Sequence, residues 1–289
     1  MKEQDLLYRF IFEDIGIRGE WVKLTASLKA AQQHQAGSNA VKQLLGQALA
    51  AAVMLAATVK FKGSIILQAQ GDGNIKTLVA QSTHDKKIRG LIRCQEQTPI
   101  GSLPKMFGQG RLVITIEPEN GEPYQGIVAL QEANLASAVQ TYFLQSEQLK
   151  TCLWLFADDT QAAGLFLQEL PAHSGYQADW ERIEMLASTI TQQELFSLDC
   201  EPLLHRLFHQ EKIRLFNPET VGFKCTCSRQ KIDHALRTMN KAELYKIIDE
   251  RDVIEVDCEF CREHYSYDAV DVENLFSQEV TIPPSQTRH

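Results

Sequence analysis

Basic charge is in short supply in this 289-residue chain. Lys and Arg number 29 against 37 Asp and Glu, which leaves a formal net charge of −8. That balance removes broad attraction to nucleic acid or to anionic lipid as a basis for function. Long apolar runs are missing as well. The greasiest stretch, "ALAAAVMLAATV" at residues 48–59, is Ala-rich and too short to span a bilayer, so it is expected to be a buried core helix. No membrane partner is expected. The opening residues, "MKEQDLLYRFIFEDIG", have no basic segment followed by an apolar one and a small-residue cleavage site, and a cytoplasmic location is expected. Internal repeats and low-complexity blocks are also absent. With 44% hydrophobic and 23% charged residues the composition is that of an ordinary globular protein with a packed core.

Cysteine is scarce too, seven residues in all, but four of them fall in two tight pairs. Cys225 and Cys227 are separated by one residue, and Cys258 and Cys261 follow 30 residues later, giving C-x-C…C-x-x-C. In a reducing compartment such spacing favours metal or redox chemistry over structural disulfides. Four thiolates in two close pairs are the ligand set of a closed tetrahedral zinc site, and one zinc ion is expected on Cys225, Cys227, Cys258 and Cys261. A module of this size builds a small core, which makes metal its natural staple. Both pairs can also close on themselves as disulfides. A ring closed across a single intervening residue is strained and reduces readily, which suits a reversible switch. Oxidation consumes the metal's ligands. Structural zinc can contribute about 10–16 kcal/mol to folding a small module, against about 5–15 kcal/mol for the net stability of a whole domain. Loss of the metal is therefore expected to unfold the module. Cys94, Cys152 and Cys200 have apolar neighbours and no partner at metal-ligand spacing, and are expected to be core thiols.

The fold class expected is α+β: an N-terminal domain of helices and antiparallel sheet, a helical linker and a small C-terminal zinc-binding module. Residues 1–170 read as the core domain. "LLYRFIFED" alternates as a strand, and Ser38 stands at the N-cap of a long buried helix. "GSIILQAQ" and "IKTLVAQS" flank the turn "GDGN", and "GRLVITIEP" and "YQGIVAL" flank "ENGEP", as two hairpins. "NLASAVQTYFLQSEQ" reads as helix, and "TCLWLFADD" and "AGLFLQELP" as closing strands. Residues 171–222 read as a linker, with a break at Pro171 to Gly175. Thr191 and Glu194 form a capping box, and Asp199 caps the next helix. Trp180 and Ile183 share one apolar face, and Leu203, Leu204, Leu207 and Phe208 share another. Helices this short need something to dock on. Residues 223–276 read as the four-cysteine zinc redox-switch module, with a helical hairpin between the cysteine pairs, and 277–289 as a flexible tail.

"FKCTCSRQKIDHALRTMNKAELYKIIDERDVIEVDCEFCREHYSYDAVDVENLF" closely resembles the zinc-binding end of the 33-kilodalton redox-regulated heat-shock chaperone family of bacteria. "LLGQALAAAVMLAATVKFKG", "LQAQGDGNIK", "YQGIVAL", "YFLQSEQL" and "LLHRLFHQEKIRLF" resemble that family's signature stretches, so the likeness runs over nearly the whole chain. One departure is "TMNKAEL", where a Leu-Gly turn is expected. Asn240 is expected to supply the left-handed conformation in its place. The resemblance implies a chaperone and not an enzyme: an ATP-independent holdase, zinc-bound and inactive when reduced. Hypochlorite, or peroxide with heat, would form the disulfides Cys225–Cys227 and Cys258–Cys261 and release the zinc. The linker would then unfold, the chain would form a homodimer, and unfolded or partly folded client proteins would be bound. The apolar faces at Trp180, Ile183, Leu203, Leu204, Leu207 and Phe208 are the expected client-binding surface.

Two other readings carry less weight. A zinc ribbon for nucleic acid needs a basic patch, whereas residues 223–276 hold eight Lys or Arg against twelve Asp or Glu. A thiol oxidoreductase needs "CEFC" at a strand-to-helix junction of a thioredoxin-like domain, a setting not visible around residue 258. His205 and His209 at i,i+4 lack the glutamate of H-E-x-x-H, and His264 is expected outside the ligand set.

Overall fold

One helix in this chain is apolar on every side, and two sheets share it as their core. The computed structural model describes residues 5–60, 62–96, 98, 100–170 and 177–277. In it the chain divides into two compact units, residues 1–224 and 225–289.

In the first unit the elements run β1 (Leu6–Phe12), β2 (Ile17–Leu24), α1 (Ala26–Gln32), α2 (Asn39–Thr58), β3 (Gly63–Gly71), β4 (Ile75–Thr83), β5 (Lys87–Cys94), α3 (Leu103–Phe107), β6 (Gly110–Pro118), β7 (Tyr124–Ala129) and α4 (Leu135–Tyr142). A π-helical turn, Phe143–Glu147, extends α4. Then follow β8 (Thr151–Ala157), β9 (Ala162–Glu169), α5 (Gln177–Ala187), α6 (Gln192–Ser197), α7 (Cys200–Phe208), β10 (Ile213–Leu215), β11 (Glu219–Thr220) and β12 (Gly222–Phe223). One sheet has the order β10-β1-β2-β9-β8, with β11 also paired to β1. The other is β12-β5-β4-β3-β6-β7, antiparallel except where β12 joins β5.

Helix α2 packs against strands of both sheets, and every residue from Ala48 to Met54 is fully buried. Small side chains let both sheets approach it: a Cβ added at Gly46 would meet Ala157 at 3.0 Å. The helix is 20 residues long and apolar enough to cross a bilayer by length and composition. However, 72% of its most apolar window is buried inside the fold, which makes it the core helix that its alanines predict.

The first sheet is covered on both faces. Leu7, Val22, Leu24 and Phe166 face the α2 core, while Phe10, Phe12, Ile17, Trp21, Leu165 and Leu167 face α5, α6 and α7. All eight residues of β9 are buried as a result. The helices expected in the linker therefore have their partner within the first unit. Phe12 and Phe208 meet edge-to-face with ring centroids 5.1 Å apart. The Thr191–Glu194 capping box forms in both directions. Asp199 and Ser38 occupy their N-cap positions without making a side-chain cap bond. The expected core, residues 1–170, and the expected linker, 171–222, fall in the same compact unit. The break at 171–175 and the tail beyond residue 277 lie outside the described residues.

The second unit comprises α8 (Arg229–Arg237), α9 (Lys241–Arg251), β13 (Ile254–Asp257), β14 (His264–Tyr267) and α10 (Ala269–Ser277). It begins at Cys225 because the preceding residues still belong to the sheet edge: the Lys224 amide donates to the Ile88 carbonyl at 3.0 Å. Its core is small, with Leu236, Leu244, Ile254, Tyr267, Val272 and Leu275 as its buried apolar residues. Asn240 is not left-handed. With φ −70° and ψ 131° it is the N-cap of α9, and its side-chain oxygen accepts from the Ala242 amide at 2.9 Å. Asn is among the best N-cap residues, and that role satisfies a helix donor which a left-handed turn would leave free.

Gly19 lies opposite Phe10 in the β1–β2 ladder, with the Phe10 ring over it, and an added Cβ would fall 2.1 Å from the ring. Gly19→Ala should displace Phe10 from the surface under the helices and destabilise the first unit by about 1–3 kcal/mol. Urea denaturation should show a lower midpoint with an unchanged slope.

Candidate metal centre

Both cysteine pairs sit at element ends where the local sequence fixes the backbone. Cys225 and Cys227 lie between β12 and α8. The helix starts directly after Cys227 because Ser228 caps it, its hydroxyl accepting from the Lys231 amide at 3.3 Å. Cys258 and Cys261 form the turn of the β13–β14 hairpin. The Cys258 amide donates to the Glu263 carbonyl at 2.9 Å, and the Arg262 amide to the Cys258 carbonyl at 2.7 Å. Arg262 takes the left-handed conformation, φ 59°, that closes this turn.

The four sulfurs lie within 4.8 Å of one another. Cys225 Sγ and Cys258 Sγ are 3.6 Å apart, and Cys227 Sγ and Cys261 Sγ 3.4 Å. Four thiolates around a tetrahedral zinc with bonds near 2.3 Å would be separated by about 3.8 Å. The donor set and its spacing thus fit a zinc tetrathiolate, and the four residues can hold a metal ion. Cys258 is buried and the other three are half-buried, as in a closed site.

The electrostatics of the cluster point the same way. Burial pushes the Cys225 thiol up, but hydrogen bonds from the Cys227 amide and from the Cys227, Cys261 and Cys258 thiols outweigh it and bring it down to about 7. Burial raises Cys258, partly offset by the Cys261 and Phe260 amides. Cys261 is raised by burial and further by its sulfur neighbours. Without a cation the Cys225 thiolate forms readily while Cys258 and Cys261 resist, because like charges this close oppose one another. A divalent ion held by Cys225, Cys227, Cys258 and Cys261 would supply the positive charge that lets these thiols lose their protons together.

Cys152 and Cys200 are buried, and desolvation raises both thiols, with Glu184 adding to the effect at Cys152. Cys94 is half-buried. His264 holds the Asp257 carboxylate at 2.8 Å across the hairpin, outside the sulfur cluster. The His205 and His209 ring centroids are 6.2 Å apart, and no third ligand joins them among the described residues. Trp180, Ile183, Leu203, Leu204, Leu207 and Phe208 are brought together in one cluster against the first sheet, each no more than 5% exposed. The β13–β14 hairpin and α10 leave no clear trace in the sequence, because these segments are short and polar on their outer sides.

The chain has counterparts among known proteins. The family model described as "Hsp33 protein" matches residues 5–268. A protein from Nitrosococcus oceani named 33 kDa chaperonin is 53% identical over 289 residues, covering all of both chains. Another of the same name from a Shewanella species is 45% identical over 283 residues, covering 97% of this chain and 99% of its own. The crystal structure of the 33 kDa chaperonin (heat shock protein 33 homolog) from Thermotoga maritima superposes with a TM-score of 0.84. It covers 95% of this chain and 98% of that one at 24% identity, a likeness of fold.

Cys258→Ser removes one ligand and one edge of the cluster. Elemental analysis of the purified variant should give well under one zinc per chain. Tryptic cleavage within residues 225–277 should become much faster than in the parent protein, while residues 5–170 stay resistant.

Proposed function

The chain belongs to the Hsp33 family, and from that premise we propose that it is a redox-regulated, ATP-independent chaperone that restrains unfolding proteins under oxidative stress. It is a chaperone and not an enzyme. The observation that carries the redox part of the reading is the cluster of four sulfurs within 4.8 Å.

In the reduced state Cys225, Cys227, Cys258 and Cys261 would hold one zinc ion. When bound, the ion supplies positive charge that keeps four thiolates together at neutral pH and ties two stretches of chain separated by 30 residues. Thiolates are the oxidisable form of cysteine. With peroxide as oxidant, two thiolates, one peroxide and two protons from solvent yield one disulfide and two waters. Two such steps, Cys225 with Cys227 and Cys258 with Cys261, use all four ligands. The second unit then loses its strongest tie and is left with a core of six buried apolar side chains and a few surface polar contacts, too little to hold a fold of this length.

The strands that lead into Cys225 are the next weakest part. β10, β11 and β12 hold only three, two and two residues on sheet edges. Their loss frees the C-terminal end of α7 and with it the apolar cluster on the first sheet. Trp180, Ile183, Leu203, Leu204, Leu207 and Phe208 become the surface that unfolded clients meet, each worth about 1.5–3 kcal/mol when reburied. A freed surface of this kind also favours pairing of two chains, consistent with a homodimer in the oxidised state. The cytoplasm, where thiols are kept reduced until stress, is the compartment in which such a switch works.

Stepwise oxidation of the zinc-loaded protein with peroxide and mild heat should release one zinc and consume four thiols per chain. Suppression of client aggregation without ATP should rise over the same range. Equal suppression by the reduced, metal-loaded protein would contradict the switch. Replacing Leu204 and Leu207 together by Ser should lower client capture by the oxidised protein several-fold. Unchanged capture would remove this stripe from the binding surface.

A further inference from the structure

The metal is not the sole tie between the two cysteine arms. Arg229 lies two residues after Cys227, at the start of α8, and its guanidinium meets three groups on the far arm. Nη2 is 2.8 Å from the Asp271 carboxylate at the start of α10. Nη1 donates to the Ser266 carbonyl of β14 at 3.3 Å. The cation lies over the Tyr267 ring, 4.4 Å from its centroid. The contact is returned from the other side: the Tyr267 hydroxyl donates to Asp233 Oδ1 on α8 at 2.7 Å and reaches the Arg229 carbonyl at 3.3 Å. Tyr267 is itself buried. Asp271 is held in turn by its amide, which donates to Asp268 Oδ1 at 2.8 Å.

We propose that Arg229 is a positioning residue for the metal centre, clamping the Cys225–Cys227 arm onto the strand and helix that follow Cys258 and Cys261; this rests on the tetrathiolate reading above. The clamp spans from two residues past one ligand pair to between five and ten residues past the other, so it sets the spacing between the pairs before the metal binds. Preorganised ligands lose less freedom on binding and release the ion more slowly. Only a planar guanidinium can stack on the ring while its edge serves a carboxylate and a carbonyl. A lysine would keep the charge pair and lose the rest. The clamp also gives the centre two ties in parallel. Loss of the sulfur ligands leaves the arginine tie too weak to hold the arms by itself, and loss of the arginine tie leaves the metal bound but less firmly held.

The test uses the full-length reduced protein loaded with zinc, as parent, Arg229→Ala, Arg229→Lys, Asp271→Asn and the Arg229→Ala/Asp271→Asn double variant. Zinc content, transfer of zinc to an excess of chromophoric chelator, and zinc loss under peroxide are measured on each. Arg229→Ala should still load one zinc per chain and lose it about three- to tenfold faster in both assays, the range expected for one exposed ion pair and one cation–π contact. Arg229→Lys should fall between it and the parent. Asp271→Asn should speed the loss less than Arg229→Ala and add little when combined with it, because both changes remove the same ion pair. Zinc loss from Arg229→Ala at the parent rate, or full additivity of the two changes, would overturn the proposal. A parent protein that holds no zinc would overturn the tetrathiolate reading beneath it. An unfolded Arg229→Ala with intact, zinc-loaded Arg229→Lys and Asp271→Asn that release at the parent rate would overturn the clamp as well.

Discussion

Four sulfur atoms confined to a space in which they cannot all carry charge unaided are the constraint on which the second unit depends. Its buried apolar set is six residues, and the connection between the two cysteine arms is 30 residues long. Closing such a loop costs conformational entropy that a core this small offsets poorly. Under the proposed function, a divalent cation would relieve the charge conflict and close the loop in one act. On that reading the chemistry that holds the arms together is also the chemistry most exposed to oxidants. Stability and sensitivity have the same origin.

Under the proposed function, such a switch would govern the first unit. Its β10-β1-β2-β9-β8 sheet is apolar on both faces, where an antiparallel sheet commonly leaves one face to solvent. One face is sealed by α2, whose alanines allow a close fit on every side. The other is sealed by α5, α6 and α7, three short helices joined to the rest by short edge strands and a few polar ties. Cys152 of β8 donates to Glu184 of α5 at 3.2 Å, while Arg206 ties the helices to one another, to Glu194 at 2.6 Å and to the Thr189 hydroxyl at 2.7 Å. Helices of six to eleven residues have little stability of their own. Most of what holds them is apolar contact with the sheet, the same contact that an unfolded client would make. Under the proposed function, client binding replaces an internal docking with an external one.

The sequence is legible where a pattern has one physical meaning. Alternation marks β1 and the two hairpins, the alanine run marks α2, and T-x-x-E marks the start of α6. The sulfur cluster is legible from spacing alone, since two close pairs of cysteines in a short module have few other uses. Other features are hidden for identifiable reasons. β12 is two residues of parallel pairing, which leave no periodicity. The docking partner of α5 to α7 depends on long-range contacts that amphipathic stripes announce but do not name. Asn240 suits a left-handed turn by residue type, and its capping ability decides its role instead. Arg229 looks like any surface arginine until the fold sets Tyr267 and Asp271 beside it.

On the proposed function, oxidation at four sulfurs uncovers the apolar face of the first sheet. Amide hydrogen exchange resolved along the chain, on the reduced zinc-loaded protein and again after peroxide treatment, tests it most directly. Slow exchange is predicted over residues 177–208 and 229–277 before treatment, and fast exchange over both after it, with the strands of 5–170 unchanged. Persistent protection of residues 177–208 in oxidised protein that nevertheless prevents client aggregation would contradict it.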